Sequence, residues 1–315
     1  PITQYGPAME QETFDSFGQL LDEFYEGRDQ ADRVRQKGQD LMKSATAARD
    51  RVRRKLAAQE KELAATRDRE RLRICGELIT ANLYRMERGA ARLETENFYD
   101  PECRPVAIPL DPLLTPQQNA AKYYKRYTKA KTAEKYLAEQ MALARRDLDY
   151  LESVLEELSR AETEQDFLDI RGELRDAGFL RRQGKKEQNR PAKPLEFRTT
   201  SGFRVLVGRN NRQNDKLTRS ADHRDIWLHT QKIHGSHVIL CTGGREVDDD
   251  TIVEAAKLAA WFSQAREGAN VPVDYTPVKN VKKPAGARPG MVIYSTCRTV
   301  NVAPEEGLVK KLQLS

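Results

Sequence analysis

The sequence lacks several features that would place it in a common class. Its four cysteines are far apart and form no C-x-x-C pair, so neither a zinc knuckle nor a dithiol redox motif is indicated. No segment approaches the ~18 consecutive apolar residues of a membrane-spanning helix. Glycine-rich nucleotide-binding motifs and the G-x-S-x-G motif are also missing. Nucleotide hydrolysis and serine-hydrolase chemistry therefore have no support, and the isolated thiols fit a reducing compartment.

Apolar residues are also scarce. They make up 38% of the 315 residues, against 32% charged residues, and the mean hydropathy is −0.76. A chain this polar cannot fill one large core, so we expect part of it to be elongated. The net charge of +6 is a mild basic bias, which suits nucleic acid and an ordinary protein equally well. The chain begins with Pro1 rather than Met, and we expect a fragment of a longer protein.

Residues 12–178 are rich in Glu, Lys, Arg, Ala and Leu and carry almost no strand signal. Apolar or small residues recur there mostly in steps of three, four and seven, as on the buried stripe of a coiled-coil helix. Two stripes of similar length predict a long antiparallel hairpin, with an ordinary helical bundle as the alternative. The first stripe is Val34, Leu41, Ala45, Ala48, Val52, Leu56 and Leu63, and the second is Ala130, Ala133, Leu137, Met141, Ala144, Leu148, Leu151, Leu155 and Leu158.

A small tip module is expected between the stripes, at about residues 67–125. Residues 70–88 read as a helix ending near Gly89. Four prolines in residues 97–112 forbid a helix, so a short β-hairpin or an extended loop is predicted there. Thr115, Pro116 and Gln118 then have the spacing of a helix start, with Thr as N-cap and Gln at the third position.

The rest of the chain divides into a basic linker, 179–194, and a compact α+β domain, 195–302. Strands are predicted at 203–207, 225–229, 237–240, 291–294 and 298–302. A helix should begin at Asp250, with Thr251 and Glu254 as a capping box, and end at Gly268. The fold class is thus multi-domain, α followed by α+β: a long coiled-coil hairpin with a small tip module, then the sheet domain.

All four histidines, His223, His229, His234 and His237, fall within fifteen residues. Such a concentration is typical of metal binding or acid–base chemistry. Their spacing does not match a tight metal site, so no metal ligand is assigned. Hydrogen-bonding roles are favoured, and a zinc site is the alternative.

Asp225, Trp227 and His229 alternate along one predicted strand and should share a face, with Ile226 and Leu228 on the other. Trp and His side chains stack on unpaired bases, and Asp accepts from a base edge or orients the His. This face is therefore a candidate RNA-binding surface. In the alternative interpretation, Trp227 packs against the helix that contains Ile252.

Two polar loops are further candidates. The Gly/Pro-rich residues 278–290 carry cations that suit a phosphate backbone, unless the segment is a solvated turn. Residues 207–217 form a dense array of donors that suits RNA backbone or 2′-hydroxyl contacts, unless they form a helix cap and turn. The candidate residues are Lys279, Lys282, Lys283 and Arg288 in the first loop, and Arg209, Asn210, Asn211, Arg212, Gln213 and Asn214 in the second.

Several of these segments, in one order, resemble a known family. VGRNNRQNDKLT (207–218), DIWLHTQKIHGSHVIL (225–240), EAAKLAAWFS (254–263) and VPVDYTPVKNVKKPAGARPGMVIY (271–294) resemble the RNA-binding domain of the NFACT family. GELITANLY (76–84) and IPLDPLLTPQQNAAKYYKRY (108–127) resemble its coiled-coil and middle region. The resemblance covers nearly the whole chain. We expect this chain to be a C-terminal fragment that lacks the family's N-terminal domain and helix-hairpin-helix region. The family's Asp-x-Trp-x-His motif falls on Asp225, Trp227 and His229.

The resemblance implies a role in ribosome-associated quality control. The full protein would bind large ribosomal subunits obstructed by peptidyl-tRNA and recruit alanyl-tRNA for alanine tailing without mRNA. The ribosome would supply the peptidyl transfer, so the protein would not be an enzyme and would need no cofactor. The middle region would reach the stalk base and its rRNA. The expected location is the cytoplasm, with no membrane partner.

Two other function classes remain open. Relatives of this family also carry a fibronectin-binding label, so a surface adhesin is the first alternative. The second is a metal enzyme that uses the histidine cluster.

Overall fold

The computed structural model describes residues 16–181 and 191–314. The chain forms two compact units: Arg49–Asp149, and a unit that joins Pro1–Ala48 to Tyr150–Ser315. The predicted basic linker lies mostly outside the described residues. A long helical region followed by a sheet domain is observed, so this part of the predicted fold class is confirmed.

The helical region is built from four α-helices and one β-hairpin. In chain order these are α1 (Phe17–Ala65), α2 (Arg69–Ala81), β1 (Arg92–Glu96), β2 (Pro105–Pro109), α3 (Pro116–Arg160) and α4 (Glu164–Asp176). Every side chain of the two predicted apolar stripes is buried or half-buried, so the predicted burial of both stripes is confirmed.

The Arg49–Asp149 unit has a small core around the hairpin. β1 and β2 pair antiparallel from Arg92 opposite Pro109 to Glu96 opposite Pro105. Of the two alternatives predicted for residues 97–112, the hairpin is observed and not the extended loop, but its first strand lies before that range. Leu78, Ile79, Leu93, Ile108 and Tyr123 pack together beneath it. α2 ends at Ala81, before the predicted end near Gly89, and a 3₁₀ turn (Leu83–Arg85) follows.

The start of α3 is the predicted capping box. The backbone N–H of Gln118 donates to Thr115 Oγ1 at 3.2 Å, and the N–H of Thr115 donates to Gln118 Oε1 at 2.9 Å. Each side chain thus satisfies a backbone group that the helix cannot. Pro116 occupies the first helical position, where a missing N–H costs nothing.

The sheet domain is an antiparallel six-stranded sheet with helices on both faces. Its elements are β3 (Leu195–Arg198), β4 (Arg204–Val207), α5 (Asn211–Ser220), β5 (Ile226–Thr230), β6 (Val238–Cys241), α6 (Asp249–Trp261), β7 (Val271–Pro277), β8 (Val281–Lys282), β9 (Ile293–Tyr294), β10 (Arg298–Val302) and α7 (Glu306–Leu312). The strand order is β10-β7-β5-β6-β4-β3, and β8 pairs separately with β9.

The two faces of the sheet have separate cores. On one face, α6 and α7 pack on Val205, Leu228 and Val273. On the other face, Leu217 of α5 and the segment after β7 pack on Trp227 and Ile239. The predicted alternation along β5 is therefore confirmed, because Leu228 and Trp227 belong to opposite faces. The core also continues past the predicted boundary at residue 302, since Val309 and Leu312 of α7 are buried in it.

Two predictions for α6 are wrong. Its N-cap is Asp248, whose carboxylate accepts from Thr251 N–H at 2.8 Å. Glu254 accepts instead from the Thr200 backbone N–H at 2.8 Å, so it does not complete a capping box with Thr251. The helix ends at Trp261 and not at Gly268. Asp248 lies one turn before Thr251, and Asp is at least as good an N-cap as Thr.

Candidate nucleic-acid interface

Trp227 lies at the centre of the sheet face opposite α6 and is fully buried. Its exposed fraction is 0%. The indole ring is 4.8 Å from the Tyr294 ring, 5.6 Å from the His229 ring and 5.3 Å from the His237 ring, measured between centroids. Leu217 of α5 covers the same cluster. The prediction that Trp227 offers an open face for stacking on a base is wrong, because other side chains of the domain already cover the ring. The alternative, packing against α6, is wrong too, since the indole lies on the other face.

Asp225, just before β5, acts as a loop anchor. Its carboxylate accepts from the backbone N–H of Gly243 at 2.9 Å and of Asp222 at 3.2 Å. The residue is 6% exposed. The prediction that it accepts from a base edge is therefore not supported, because both carboxylate oxygens are engaged within the domain.

The hydrogen bonds of His237 to its two neighbours select one neutral tautomer of the ring. Its Nε2 lies 3.2 Å from the carbonyl oxygen of Gly290, which can only accept, so Nε2 carries the proton. Its Nδ1 lies 2.8 Å from Thr218 Oγ1 and accepts from that hydroxyl. Burial, with His229 nearby, lowers the pKa of His237 to about 3, which keeps the ring neutral. With both nitrogens engaged, this ring is not an available metal ligand.

His229 is the member of the strand motif that reaches the surface in part. Its ring stacks on Trp227 with an interplanar angle of 12°, and the residue is half-buried. Burial lowers the pKa of His229 to about 4, so it too is neutral at physiological pH. His223 is exposed and His234 is half-buried. Within the described residues, no group of three or more His, Cys, Asp or Glu side chains is placed to hold a metal ion.

A carboxylate that the sequence analysis did not single out positions Tyr294 in the cluster around Trp227. Asp274 of β7 accepts from Tyr294 Oη at 2.7 Å and from Thr299 Oγ1 at 2.6 Å. Burial raises the pKa of Tyr294, and Asp274 adds to the effect, so the phenol stays protonated and donates. Tyr294 is thereby held against the indole ring.

The donor array of residues 209–214 faces the protein. Asn210 caps α5 by accepting from Gln213 N–H at 2.9 Å, as in the helix-cap alternative. Asn211 donates to Ser153 Oγ at 3.0 Å, and the Asn214 side-chain oxygen accepts from His237 N–H at 3.1 Å. All three asparagines are buried. The structure therefore does not support direct RNA contact by these three side chains, and that contact stays a prediction.

The remaining residues of that array tie α5 to α4 and to the start of the domain. Arg209 pairs with Asp166 at 3.1 Å. Gln213 donates to the Ala192 carbonyl at 2.7 Å. Arg212 pairs with Asp176, although it stays partly exposed. These side chains therefore position α5, and Arg212 is the most exposed of the three.

Two buried carboxyl groups lie beside the first turn of α5. Glu173 of α4 accepts from Tyr150 Oη at 2.8 Å and from Arg212 N–H at 3.2 Å. The pKa of Glu157 is raised, first by burial and then by the nearby Glu173 charge. One Glu157 carboxyl oxygen is buried without a hydrogen-bond partner among the described residues. The protonated form of Glu157 is favoured as a result.

The predicted phosphate-binding cations of residues 278–290 fall into two groups. Arg288 donates to the Ala177 carbonyl at 3.2 Å and lies 5.1 Å from the Phe179 ring centroid, so it binds within the protein. Lys283 pairs with Asp215 of α5. Lys279 and Lys282 are exposed. The structure thus leaves these two lysines open to a partner.

The match to known protein families covers residues 1–295. Residues 1–193 match the family described as NFACT N-terminal and middle domains. Residues 193–295 match the one described as NFACT protein RNA binding domain. The chain belongs to the NFACT family. The family resemblance inferred from the sequence is confirmed.

Relatives of this NFACT chain include bacterial proteins named Rqc2 homolog RqcH. The protein from Bacillus subtilis (strain 168) is 42% identical over 308 residues, covering 96% of the chain and 53% of the relative. The one from Streptococcus suis (strain 05ZYH33) is 37% identical over 306 residues, covering 96% and 54%. The chain spans about half the length of the curated relatives it matches.

A solved structure shares this fold. It is described as the C-terminal part of the fibronectin/fibrinogen-binding protein from Streptococcus suis, with a TM-score of 0.71 and 32% identity. It matches 90% of this chain and 100% of its own. A shorter relative, Coiled-coil domain-containing protein 25 from Bos taurus, is 27% identical over 118 residues, covering 36% of this chain and 57% of the relative.

Proposed function

We propose that this chain supplies RNA and ribosome contacts to a ribosome-associated quality-control factor. The observation that carries the proposal is the 42% identity with the Bacillus subtilis Rqc2 homolog RqcH over 96% of the chain. An RNA-binding domain in residues 193–295 supports it. The complete protein would bind large subunits obstructed by peptidyl-tRNA and recruit alanyl-tRNA for C-terminal alanine tailing.

The chain would act as a binding module and not as an enzyme. The side chains that resemble acid–base groups, His237 and Asp225, are held in structural hydrogen bonds. Peptide-bond formation would belong to the peptidyl-transferase centre of the ribosome. No cofactor is needed for such a role.

The long helices would form an antiparallel coiled-coil hairpin within the Arg49–Asp149 unit. Glu60 of α1 pairs with Arg145 of α3 at 3.3 Å, and Arg69, at the start of α2, pairs with Glu134 of α3. From the first pair to the second, the residue number rises from α1 to α2 and falls along α3, which is the order of antiparallel neighbours. Buried Leu137, Met141 and Ala144 support a packed seam between them.

The tip module would contact the stalk base of the large subunit. Tyr84 is 86% exposed, Leu113 is 85% exposed and Phe98 is 55% exposed, all in this unit. Aromatic and apolar side chains open to solvent are typical of partner-binding surfaces. The expected location of the protein is the cytoplasm, where ribosomes are found. No helix in the described part of the chain is both long and apolar enough to span a membrane.

Fibronectin binding is the second candidate. The related solved structure from Streptococcus suis is described as part of a fibronectin/fibrinogen-binding protein. A surface role would require a route out of the cell and a protein-binding surface. The two functions predict different locations of the protein after cell fractionation, so one experiment tests both.

The test is to tag the full-length protein in its own cells and to fractionate them. Co-sedimentation with large subunits, weakening steeply as salt is raised, would support the quality-control role, because Lys and Arg displace counterions from RNA. Surface exposure with no ribosomal fraction would overturn it in favour of the adhesin. Alanine tails on stalled nascent chains, lost when the gene is deleted, would test the tailing step.

A further inference from the structure

The outer side of α5 carries two cations, Lys216 and Arg219, that were not among the candidate residues of the sequence analysis. Leu217 and Asn214 face the interior and are buried. Lys216 and Arg219, three residues apart and therefore neighbours on the helix surface, are exposed. The outer side of α5 is thus a short basic ridge, and its inner side is buried.

An open groove of about 620 Å³ runs beside the ridge. Its lining consists of Arg212, Asp215, Lys216, Arg219 and Ser220. Asp215 supplies the acidic group of the lining, and it is already compensated, because its carboxylate pairs with Lys283 and accepts from Gly290 N–H at 3.1 Å. The groove therefore presents net positive charge.

The β8 segment, residues 278–282, extends this surface. Val278 and Val281 pack in the same cluster as Leu217, which brings the segment alongside α5. Each of these valines is followed by an exposed lysine, Lys279 or Lys282. The Lys279 backbone N–H also donates to the His223 carbonyl at 3.2 Å, just after the end of α5. Lysines from two separate elements thus border one side of the sheet domain.

We propose that this surface, Lys216, Arg219, Lys279 and Lys282 with the groove beside α5, binds the sugar–phosphate backbone of RNA. The inference rests on the proposed RNA-binding function and identifies the site for it. Because Trp227 is covered and the three asparagines are buried, the surface offers charge and few groups that read bases. Phosphate contacts position an RNA without reading its sequence, so binding should be indifferent to sequence.

The test compares two double variants of this chain with equal loss of charge. One is Lys216→Ala with Arg219→Ala. The control is Lys310→Ala with Lys311→Ala, two exposed lysines on α7, which packs with α6 on the opposite face. Surface changes of this kind rarely alter stability by more than about 0.5 kcal/mol. Circular dichroism checks that both remain folded.

Binding is measured by the anisotropy of fluorescein-labelled unfractionated tRNA over a range of salt concentrations, and separately by pelleting with purified large subunits. Two lost phosphate contacts should reduce the slope of log K against log salt by about 1.5 and weaken binding on the order of 30-fold at 0.1 M salt. The α7 control should match the wild type within about twofold. The tRNA and subunit arms distinguish the source of the RNA.

Each outcome decides something. Wild-type binding that falls with salt, with the same slope in the α5 variant, would overturn this site while leaving RNA binding intact. Equal losses in the α5 and α7 variants would mean diffuse attraction and would also overturn it. No wild-type binding to tRNA or to subunits at low salt would overturn both the site and the proposed function.

Discussion

Replacing Trp227 with Ala should destabilise the sheet domain strongly. The side chain is fully buried between strands β5 and β6, α5 and the segment after β7. Removing a buried Trp leaves a cavity and costs roughly 3–5 kcal/mol. Against a total stability of about 5–15 kcal/mol, that is a large share. For a domain of this size, the melting temperature should fall by about 15 °C or more.

Trp227→Phe is the matched control. It keeps an aromatic ring in the same space and removes an indole N–H that is buried without a hydrogen-bond partner among the described residues. The cost of the smaller ring is thus partly offset, and we expect a loss below about 1.5 kcal/mol.

Hydrogen exchange read by mass spectrometry is the assay, because it reports the sheet domain separately from the long helices. Peptides covering β5, β6 and β7 should lose protection in the Ala variant and keep most of it in the Phe variant. RNA affinity, measured well below the lowered melting temperature, should change little in either. Unchanged protection together with lost RNA binding in Trp227→Ala would refute the reasoning and return the ring to a stacking role.

Three further predictions concern the same unit. His237 has a folded pKa of about 3, below its unfolded value. Its contribution to the free energy of unfolding is therefore complete above pH ~6.5, and about 2 kcal/mol of it is lost at pH 5. Urea unfolding of the wild type and of His237→Gln, above pH ~6.5 and at pH 5, checks this, and an equal loss of stability in both proteins at pH 5 would contradict it. Glu157 has a raised pKa, so its contribution to the free energy of unfolding is complete below its unfolded pKa and is lost as pH rises through the folded one. Glu157→Gln should therefore be the more stable form at pH 8, and the gain should vanish near pH 4 in the same assay. Gly290→Ala should cost more stability than Gly286→Ala in thermal melts, since both glycines have positive φ but only at Gly290 would a methyl group overlap the Asn211 side chain; equal costs would contradict the packing described.

Local signals in the sequence predicted the elements whose causes are local. Thr115, Pro116 and Gln118 predicted the start of α3, because a capping box involves neighbours in the chain. Alternation along β5 predicted that Trp227 and Leu228 face opposite ways. β7 was missed, although it lies inside the sheet, because Pro272 and Pro277 weaken the strand signal.

Tertiary contacts determine which side chains of the candidate site are buried, and those contacts could not be predicted from the sequence. A strand face with Trp227 looks the same whether solvent or a helix covers it, and α5 covers it here. The amides around Asn211 look like free donors until α3 and α4 are in place. Helical periodicity could have placed Lys216 and Arg219 on one face of a helix, but α5 itself was not predicted as a helix.

Lysine footprinting on the large ribosomal subunit tests the central claim most directly. The chain is acetylated with and without an excess of purified subunits, and modification at each lysine is quantified by mass spectrometry. We predict protection of Lys216, Lys279 and Lys282 and unchanged labelling of Lys310 and Lys311 on α7. Protection of the α7 lysines, with Lys216 labelled equally in both samples, would contradict the assignment of the RNA-binding surface to α5 and the β8 segment.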